Sequence, residues 1–518
     1  MNLTKHDKMF FAFIAIFYIA LFYISSLNSF LADEGTHAVV SLFYRDLLFN
    51  IGKIGFSISN IYAFGMDYMV HYPKLQVTYP PLYHIVTGML FYSVFGISAL
   101  TAKISALVFS MLSSIALYFL VRKTFNDKIA LLSTFLFFVN TTSIFYSYRA
   151  LTDFSAWLFV FLSVYAFAKA IKSSNNKHFI LAGILSFLAT MGKRPAVILI
   201  VVLFIYGLIK KNFKGSALML SVFILLMLPY GFVMLKTGGL DVQLLVVQAT
   251  GIGQGDPPLL TFENWIWYFV KFIIYTGPLS LALILSLSYY VYKREKYWRF
   301  ALLWFVVFWI GLSIPQNKEA RFFQFIFLPA YIAFSYYVLK FKNNVKIIAP
   351  AVILIVVYIA GSVMFVLSDI KHNSTADVVN FIGKNLKGNV AVISERGDIY
   401  SSEFIFLIAS KDANKEKFVY RPCAFSGMKK DEILKYMKDN NIEYVIAVNK
   451  GTGDKTFFGY ENLEKIKNNL VFARNFGDID VYKFKGFDYS KKKICNKICL
   501  TGQIICTNST SPFSKQFS

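Results

Sequence analysis

Apolar residues run along this chain in long blocks, with the polar residues gathered between them. The blocks fall near residues 9–31, 80–97, 99–121, 128–147, 150–171, 178–192, 195–210, 215–235, 264–292, 298–316, 320–340 and 346–368. Most approach the roughly 20 residues that a helix needs to cross about 30 Å of hydrocarbon. The pattern predicts an all-α, multi-pass membrane bundle of about 11–12 transmembrane helices over residues 1–369. The first block does not read as a cleavable leader, because the LADE that follows it offers no small-residue cleavage site. After Ser368 the period changes. NVAVISE, KFVYRP, EYVIAV, VFARNF and IDVYKF read as short strands, and DEILKYMKDN and ENLEKIKNNL as helices between them. Residues 370–486 are therefore expected to form a small soluble α/β domain, and residues 487–518 a disordered tail. KGTGDK at 450–455 lacks the spacing of a phosphate loop and reads as a turn.

Composition agrees with the blocks. The chain is 56% hydrophobic and 16% charged, against about 25% charged in soluble domains. A net charge of +24 would suggest nucleic acid in a soluble protein. Here the excess lies in short connections between apolar blocks, so the tendency of Lys and Arg to stay on the cytoplasmic side accounts for it. The bilayer, and no nucleic acid, is the expected partner. Of four cysteines, Cys495, Cys499 and Cys506 crowd the tail. They lack the fourth ligand of a structural zinc site.

Placing the basic clusters in the cytoplasm leaves five connections outside: 32–79, the turn near Thr152, the GKRP bend, 236–263 and QNKEAR. This arrangement needs the block that starts at Tyr79-Pro80-Pro81 to dip in without crossing. It gives 11 crossings and an external C-terminal domain, whereas a twelfth would place that domain in the cytoplasm. Acids and cations then share the external face: Asp33, Glu34 and His37, then His71 and His84, then Asp153, Lys193, Arg194, Lys318 and Arg321. Each has a plainer reading. Asp33 and Glu34 can simply stop a helix. Asp153 can cap the helix that follows it, His71 and His84 can be interfacial, and Arg321 can anchor a helix at the headgroups. Lys193-Arg194-Pro195 can cap an ordinary hairpin, although Pro195 breaks the helix and charge at membrane depth often marks a ligand site.

A carboxylate can take the proton of an attacking hydroxyl, and cations can stabilise a departing phosphate. A lipid phosphate would lie at this depth, with its chain in the hydrocarbon. Such parts suit displacement of a sugar from a polyprenyl phosphate, with inversion at the anomeric carbon. A transporter or flippase using the same charges along a path is the alternative, and a lipid-binding subunit without activity is a third reading.

The same residues resemble motifs of the GT-C integral-membrane glycosyltransferases, in the branch of the protein O-mannosyltransferases and aminoarabinose transferases. ADEGTH resembles the acidic first-loop motif of that family. Tyr79-Pro80-Pro81-Leu82 resembles its K-P-P-L, with Tyr in place of Lys. YRALTD, MGKRP and KEARFFQFIFLPA resemble its second acidic motif, its broken helix and its lipid-site helix start. The resemblance implies Asp33 as general base, with Glu34 positioning acceptor or donor and Asp153 as a second acid in the cavity. It implies Lys193, Arg194 and Arg321 as ligands of the lipid phosphate, with Lys318 a weaker one. Some relatives hold a divalent metal, for which Asp33, Asp153 and His37 or His84 are the candidates here. The implied partners are a polyprenyl-phosphate-linked sugar donor and a protein, glycan or lipid acceptor. The implied place is the cell membrane, with the site and C-terminal domain external.

Overall fold

The computed structural model describes residues 4–28, 30, 32–72, 79–236, 257, 261–315, 318–369, 374–383, 386–394, 401–411, 419–420, 425, 428–448, 463, 465–477, 479–486, 494–497 and 504–507. KGTGDK, Lys74, Cys499 and nearly all of the 236–263 connection lie outside them. Two compact units emerge, one of residues 1–24 with 106–370 and the other of residues 25–105 with 371–518.

The first unit is helical. Among the described residues of the whole chain, six helices are long and apolar enough to cross a membrane, or seven if the bent pair Asp127–Phe138 and Thr141–Ser147 makes one span. Shorter apolar helices include Arg194–Ile209, Leu279–Tyr292 and Trp298–Ser313. Two blocks that look continuous in sequence are interrupted, each for a local reason. At 128–147 the Asn140 side chain accepts the Thr142 amide at 2.9 Å, so it caps a new helix, and the axis turns by 74°. At 264–292 the break is Gly277, at φ +61, followed by Pro278. Glycine reaches that backbone region without steric cost, and proline favours a fresh helix start.

In the second unit, the segment 32–79 was expected as a loop. Its described part is instead two helices, Ala32–Ile54 and Ile58–His71. Asp46, buried in the first, accepts the Tyr68 hydroxyl of the second at 3.1 Å. Too many charges punctuate these helices for a membrane span, yet their apolar residues still recur at helical spacing. Gly88 carries the next segment close against the first helix: a Cβ there would stand 2.3 Å from the Ser41 carbonyl oxygen.

The C-terminal region, within the unit that also holds residues 25–105, carries the small α/β sheet expected in the fold. Its five-stranded sheet has the order β2-β1-β3-β5-β4, with β1 Asn389–Ser394, β2 Val419–Tyr420, β3 Ile442–Val448, β4 Leu470–Asn475 and β5 Ile479–Phe484. β3 is buried along its whole length, as the near-continuous apolar run of a central strand requires. β1 pairs with it in parallel and β5 antiparallel. Helix Lys430–Asp439 covers one face, setting Ile433 and Met437 into a core with Ala391, Ile393, Val445 and Ala447. Two segments of the expected disordered tail, 494–497 and 504–507, pair as an antiparallel hairpin.

Candidate functional site

In the first unit the charges that sequence scattered over 170 residues come together. Helix Asn176–Gly192 ends where Lys193 turns extended, at φ −155 and ψ 128, and a 3-10 turn Arg194–Val197 with its early proline leads into Ile198–Ile209. Gly192 sets the spacing. A Cβ on it would stand 2.7 Å from the Ala156 backbone nitrogen, so only glycine lets this break lie against the start of helix Asp153–Ser173. Lys193 is thereby placed beside Asp153, with Nζ 3.4 Å from Oδ1. Arg321, in the 3-10 turn before helix Phe323–Lys340, brings Nη1 to 3.2 Å from Oδ2 of the same carboxylate.

Asp153, Lys193 and Arg321 are 4, 9 and 7% exposed. A buried charge is tolerated only when paired, and one carboxylate here serves two cations. Asp153 is therefore not the cap of its helix. Thr152 holds that position without a side-chain bond, and the Asp153 carboxylate is turned to the cations. Nor is Arg321 a headgroup anchor, because it is buried. Its Nη2 pairs with Glu319, which is more exposed, and its guanidinium lies over the Tyr146 ring at 5.1 Å. Lys318 is directed elsewhere: Nζ donates to the carbonyls of Leu312, Ser313 and Pro315 at 2.9, 2.9 and 2.6 Å. It completes a helix end and is spent structurally. Arg194 is half-buried next to the break. Arg149, buried between the Phe145 and Tyr148 rings at 5.0 and 5.2 Å, was not singled out from sequence. Its place inside YRALTD was the available signal.

In the second unit Asp33 and Glu34 do not stop a helix. They occupy the first turn of Ala32–Ile54, where the helix N-terminus favours negative charge. Their environments differ. Asp33 is exposed and has no hydrogen bond or ion pair among the described residues, whereas Glu34 is fully buried. One turn further, His37 lies under the Tyr79 ring at 4.6 Å and stacks on His84 at 5.2 Å and 19°. His84 Nδ1 is 3.2 Å from the Ser41 hydroxyl. His71 faces the Asp67 carbonyl with Nδ1 at 2.8 Å. Tyr79, which replaces the motif lysine, thus roofs a buried histidine pair. Among the described residues no group of three or more His, Cys, Asp or Glu is arranged to hold a metal ion.

Helix Ser401–Lys411 of the C-terminal domain packs on helix Ala32–Ile54. It carries Glu403, which accepts the Phe30 amide at 3.3 Å just ahead of the acidic turn. Phe406 on the same helix meets the Phe30 ring at 5.5 Å and the Tyr92 ring at 6.2 Å. Burial pushes the Glu403 carboxyl up to about 7. The Glu34 carboxylate adds to this, while the Thr375 hydroxyl, the Phe30 amide and Lys103 oppose it. Lys103 is buried too and donates to the carbonyls of Asn28 and Ser25 at 2.6 and 3.3 Å. Neither Glu403 nor Lys103 was a sequence candidate.

A family model described as dolichyl-phosphate-mannose-protein mannosyltransferase matches residues 79–234, a span that holds Asp153, Lys193 and Arg194. No curated protein matches the chain in sequence. Among solved structures, ArnT from Cupriavidus metallidurans bound to undecaprenyl phosphate is similar at a TM-score of 0.62 and 11% identity, over 92% of this chain and 97% of that one. The oligosaccharyltransferase of Archaeoglobus fulgidus in complex with Zn and sulfate is similar at 0.57 and 12%, over 95% of this chain and 73% of that one. The Archaeoglobus fulgidus enzyme AglB in complex with an inhibitory peptide and a dolichol-phosphate is similar at 0.51 and 10%, over 85 and 69%. At such identities the likeness is one of fold, and that fold is the one the resemblance implied.

Proposed function

We propose, for a chain that has the GT-C glycosyltransferase fold and matches the mannosyltransferase family model over residues 79–234, that it transfers a sugar from a polyprenyl-phosphate donor to an acceptor hydroxyl. The observation that carries this reading is the cation pair Lys193 and Arg321, held at a helix break and a helix start by one buried carboxylate, Asp153. The solved neighbours bound to undecaprenyl phosphate and to a dolichol-phosphate support the choice of donor class.

In this reading the acceptor oxygen bonds to the anomeric carbon as the bond from that carbon to the phosphate oxygen breaks. Direct displacement inverts the configuration. Asp33, exposed and unpaired among the described residues, takes the hydroxyl proton, and Glu34 positions the turn that bears it. Charge gathers on the leaving lipid phosphate and meets Lys193 and Arg321, with Arg194 beside them. Asp153 stays between the two cations and fixes their direction. A phosphate exchanges most readily with Glu319, the more exposed of the two acids on Arg321. Lys318 contributes by holding the preceding helix end. The distribution of Lys and Arg favours the external face of the cell membrane for this chemistry.

The test is transfer of radiolabelled sugar from a panel of polyprenyl-phosphate donors, in membranes holding wild type or Asp33→Asn at matched levels. Wild type is expected to transfer label with inverted configuration. Loss of the base should lower the rate about 10²–10⁴-fold with donor binding kept. Equal transfer by both would remove Asp33 from the role. Uptake of labelled substrate without any glycoside product would favour the transporter reading.

A further inference from the structure

The helices that carry Asp153, Lys193 and Arg321 at or just before their N-terminal ends enclose a cavity toward their other ends. Helix Asp153–Ser173 has 21 residues and so rises about 31 Å, close to the thickness of a bilayer core. The cavity has a volume of about 480 Å³, within the range of about 300–1,000 Å³ typical of ligand pockets. Its floor is built by Phe161, Trp304 and Leu328, all buried.

The floor has a structural cause. Pro329 has no amide hydrogen, so the Phe325 carbonyl one turn earlier lacks its helical donor. The Trp304 indole Nε1 supplies it at 2.5 Å, and this bond fixes the indole in the cavity wall. Five lysines line the same cavity: Lys123, Lys169, Lys172, Lys210 and Lys296. All five are exposed, and no acid is among the residues that line it. Glu295, next to Lys296, is already engaged by Lys340 at 2.6 Å and by the Tyr336 hydroxyl at 2.7 Å.

An apolar floor under a ring of cations, at the depth where membrane helices end, selects an amphiphile with an anionic head. A soluble anion has no use for the floor, and a zwitterionic lipid gains little from the lysines. Basic pockets between membrane helices suit phosphate headgroups for this reason. We propose that this cavity binds an anionic phospholipid of the adjacent leaflet, with the phosphate among the five lysines and an acyl chain on the Phe161–Trp304–Leu328 floor. The site is separate from the Asp153 cluster and its occupancy does not depend on the transfer reaction.

The test is native mass spectrometry of the full chain in neutral detergent, titrated with phosphatidylglycerol or phosphatidylcholine of the same acyl chains. Phosphatidylglycerol should be retained about tenfold more tightly. The double change Lys169→Gln with Lys210→Gln should bring it to the phosphatidylcholine level. Ala168→Trp, at an exposed position on the cavity wall, should fill the space and lower retention without altering elution on size exclusion. Equal retention of the two lipids, or phosphatidylglycerol retention that ignores both variants, would overturn the proposal. Displacement of the lipid by millimolar inorganic phosphate would overturn it as well, because the anion alone would then account for binding.

Discussion

The two acids that matter most stand in opposite settings. Asp153 is buried and shared between Lys193 and Arg321, whereas Asp33 is exposed at a helix start with no partner among the described residues. A compensated buried acid is a structural element as much as a chemical one, and removing it leaves two like charges facing each other. An exposed acid carries no such burden. It can meet a substrate and take up a proton without disturbing its surroundings. The same residue type is thus placed for holding in one unit and, on the proposed reading, for proton transfer in the other. The two can be separated by asking whether activity and stability fall together.

The largest effects come from breaking the compensated cluster. Arg321→Ala leaves Asp153 buried with one cation in place of two, and loss of one member of a buried ion cluster costs about 3–5 kcal/mol. Both transfer and the apparent Tm are expected to fall. Asp33→Asn should match it in lost transfer while leaving stability within about 0.5 kcal/mol of wild type and the apparent Tm nearly unchanged, as exposed changes do. Thermal unfolding in detergent beside the transfer assay decides this. A large Tm loss in Asp33→Asn would place that acid in the fold, and an unchanged Tm in Arg321→Ala would deny the buried cluster its structural part.

A smaller effect sharpens the geometry. Gly192→Ala puts a methyl 2.7 Å from the Ala156 backbone nitrogen, so the break must move away from helix Asp153–Ser173. The cost of such overpacking is about 1–3 kcal/mol, and Lys193 is drawn off Asp153 with it. Donor KM should rise more than kcat falls, because the lysine is displaced and not removed. A variant with unchanged KM would show that this spacing is not what presents Lys193.

How far the sequence discloses these regions depends on what enforces them. The Asp153 cluster is legible because charges at the ends of apolar blocks are conspicuous and Pro195 announces the break. The part Asp153 plays within it, and the turning of Lys318 away from it, are visible only in the fold. Lys318 reads as a phosphate ligand in QNKEAR but bonds three carbonyls, a matter of which way a flexible chain turns. The helices in 32–71 were missed because Asp33, Glu34, Arg45, Asp46 and Lys53 disqualify a membrane span. Helical spacing survives between those charges, and the weight given to polarity hid it. Glu403 was beyond reach: in SSEFIFLIASK it is an ordinary first-turn acid. Only the packing of that helix on Ala32–Ile54 buries it beside Phe30.

Glu403 also gives the smallest and most specific test, because it lies between the two settings: buried like Asp153, yet without an ion pair at contact distance among the described residues. Its carboxyl rises from 4.5 to about 7 through burial. Below about pH 4.5 the folded and unfolded chains both hold the proton, and Glu403 carries no penalty. Between about 4.5 and 7 the unfolded chain releases it first, so Glu403 disfavours the folded state increasingly as pH rises. Above about 7 the penalty is full, at most about 3 kcal/mol by the linkage of pKa to free energy. Gln cannot ionise but still accepts the Phe30 amide through its side-chain oxygen. Glu403→Gln should therefore match wild type in apparent Tm near pH 4.5 and exceed it at pH 8, with the gap opening across that window. A gap independent of pH would mean that hydrogen bonding and not ionisation sets the difference. A gap of opposite sign would mean that the ionised carboxylate is held favourably in the fold, with Lys103 outweighing burial.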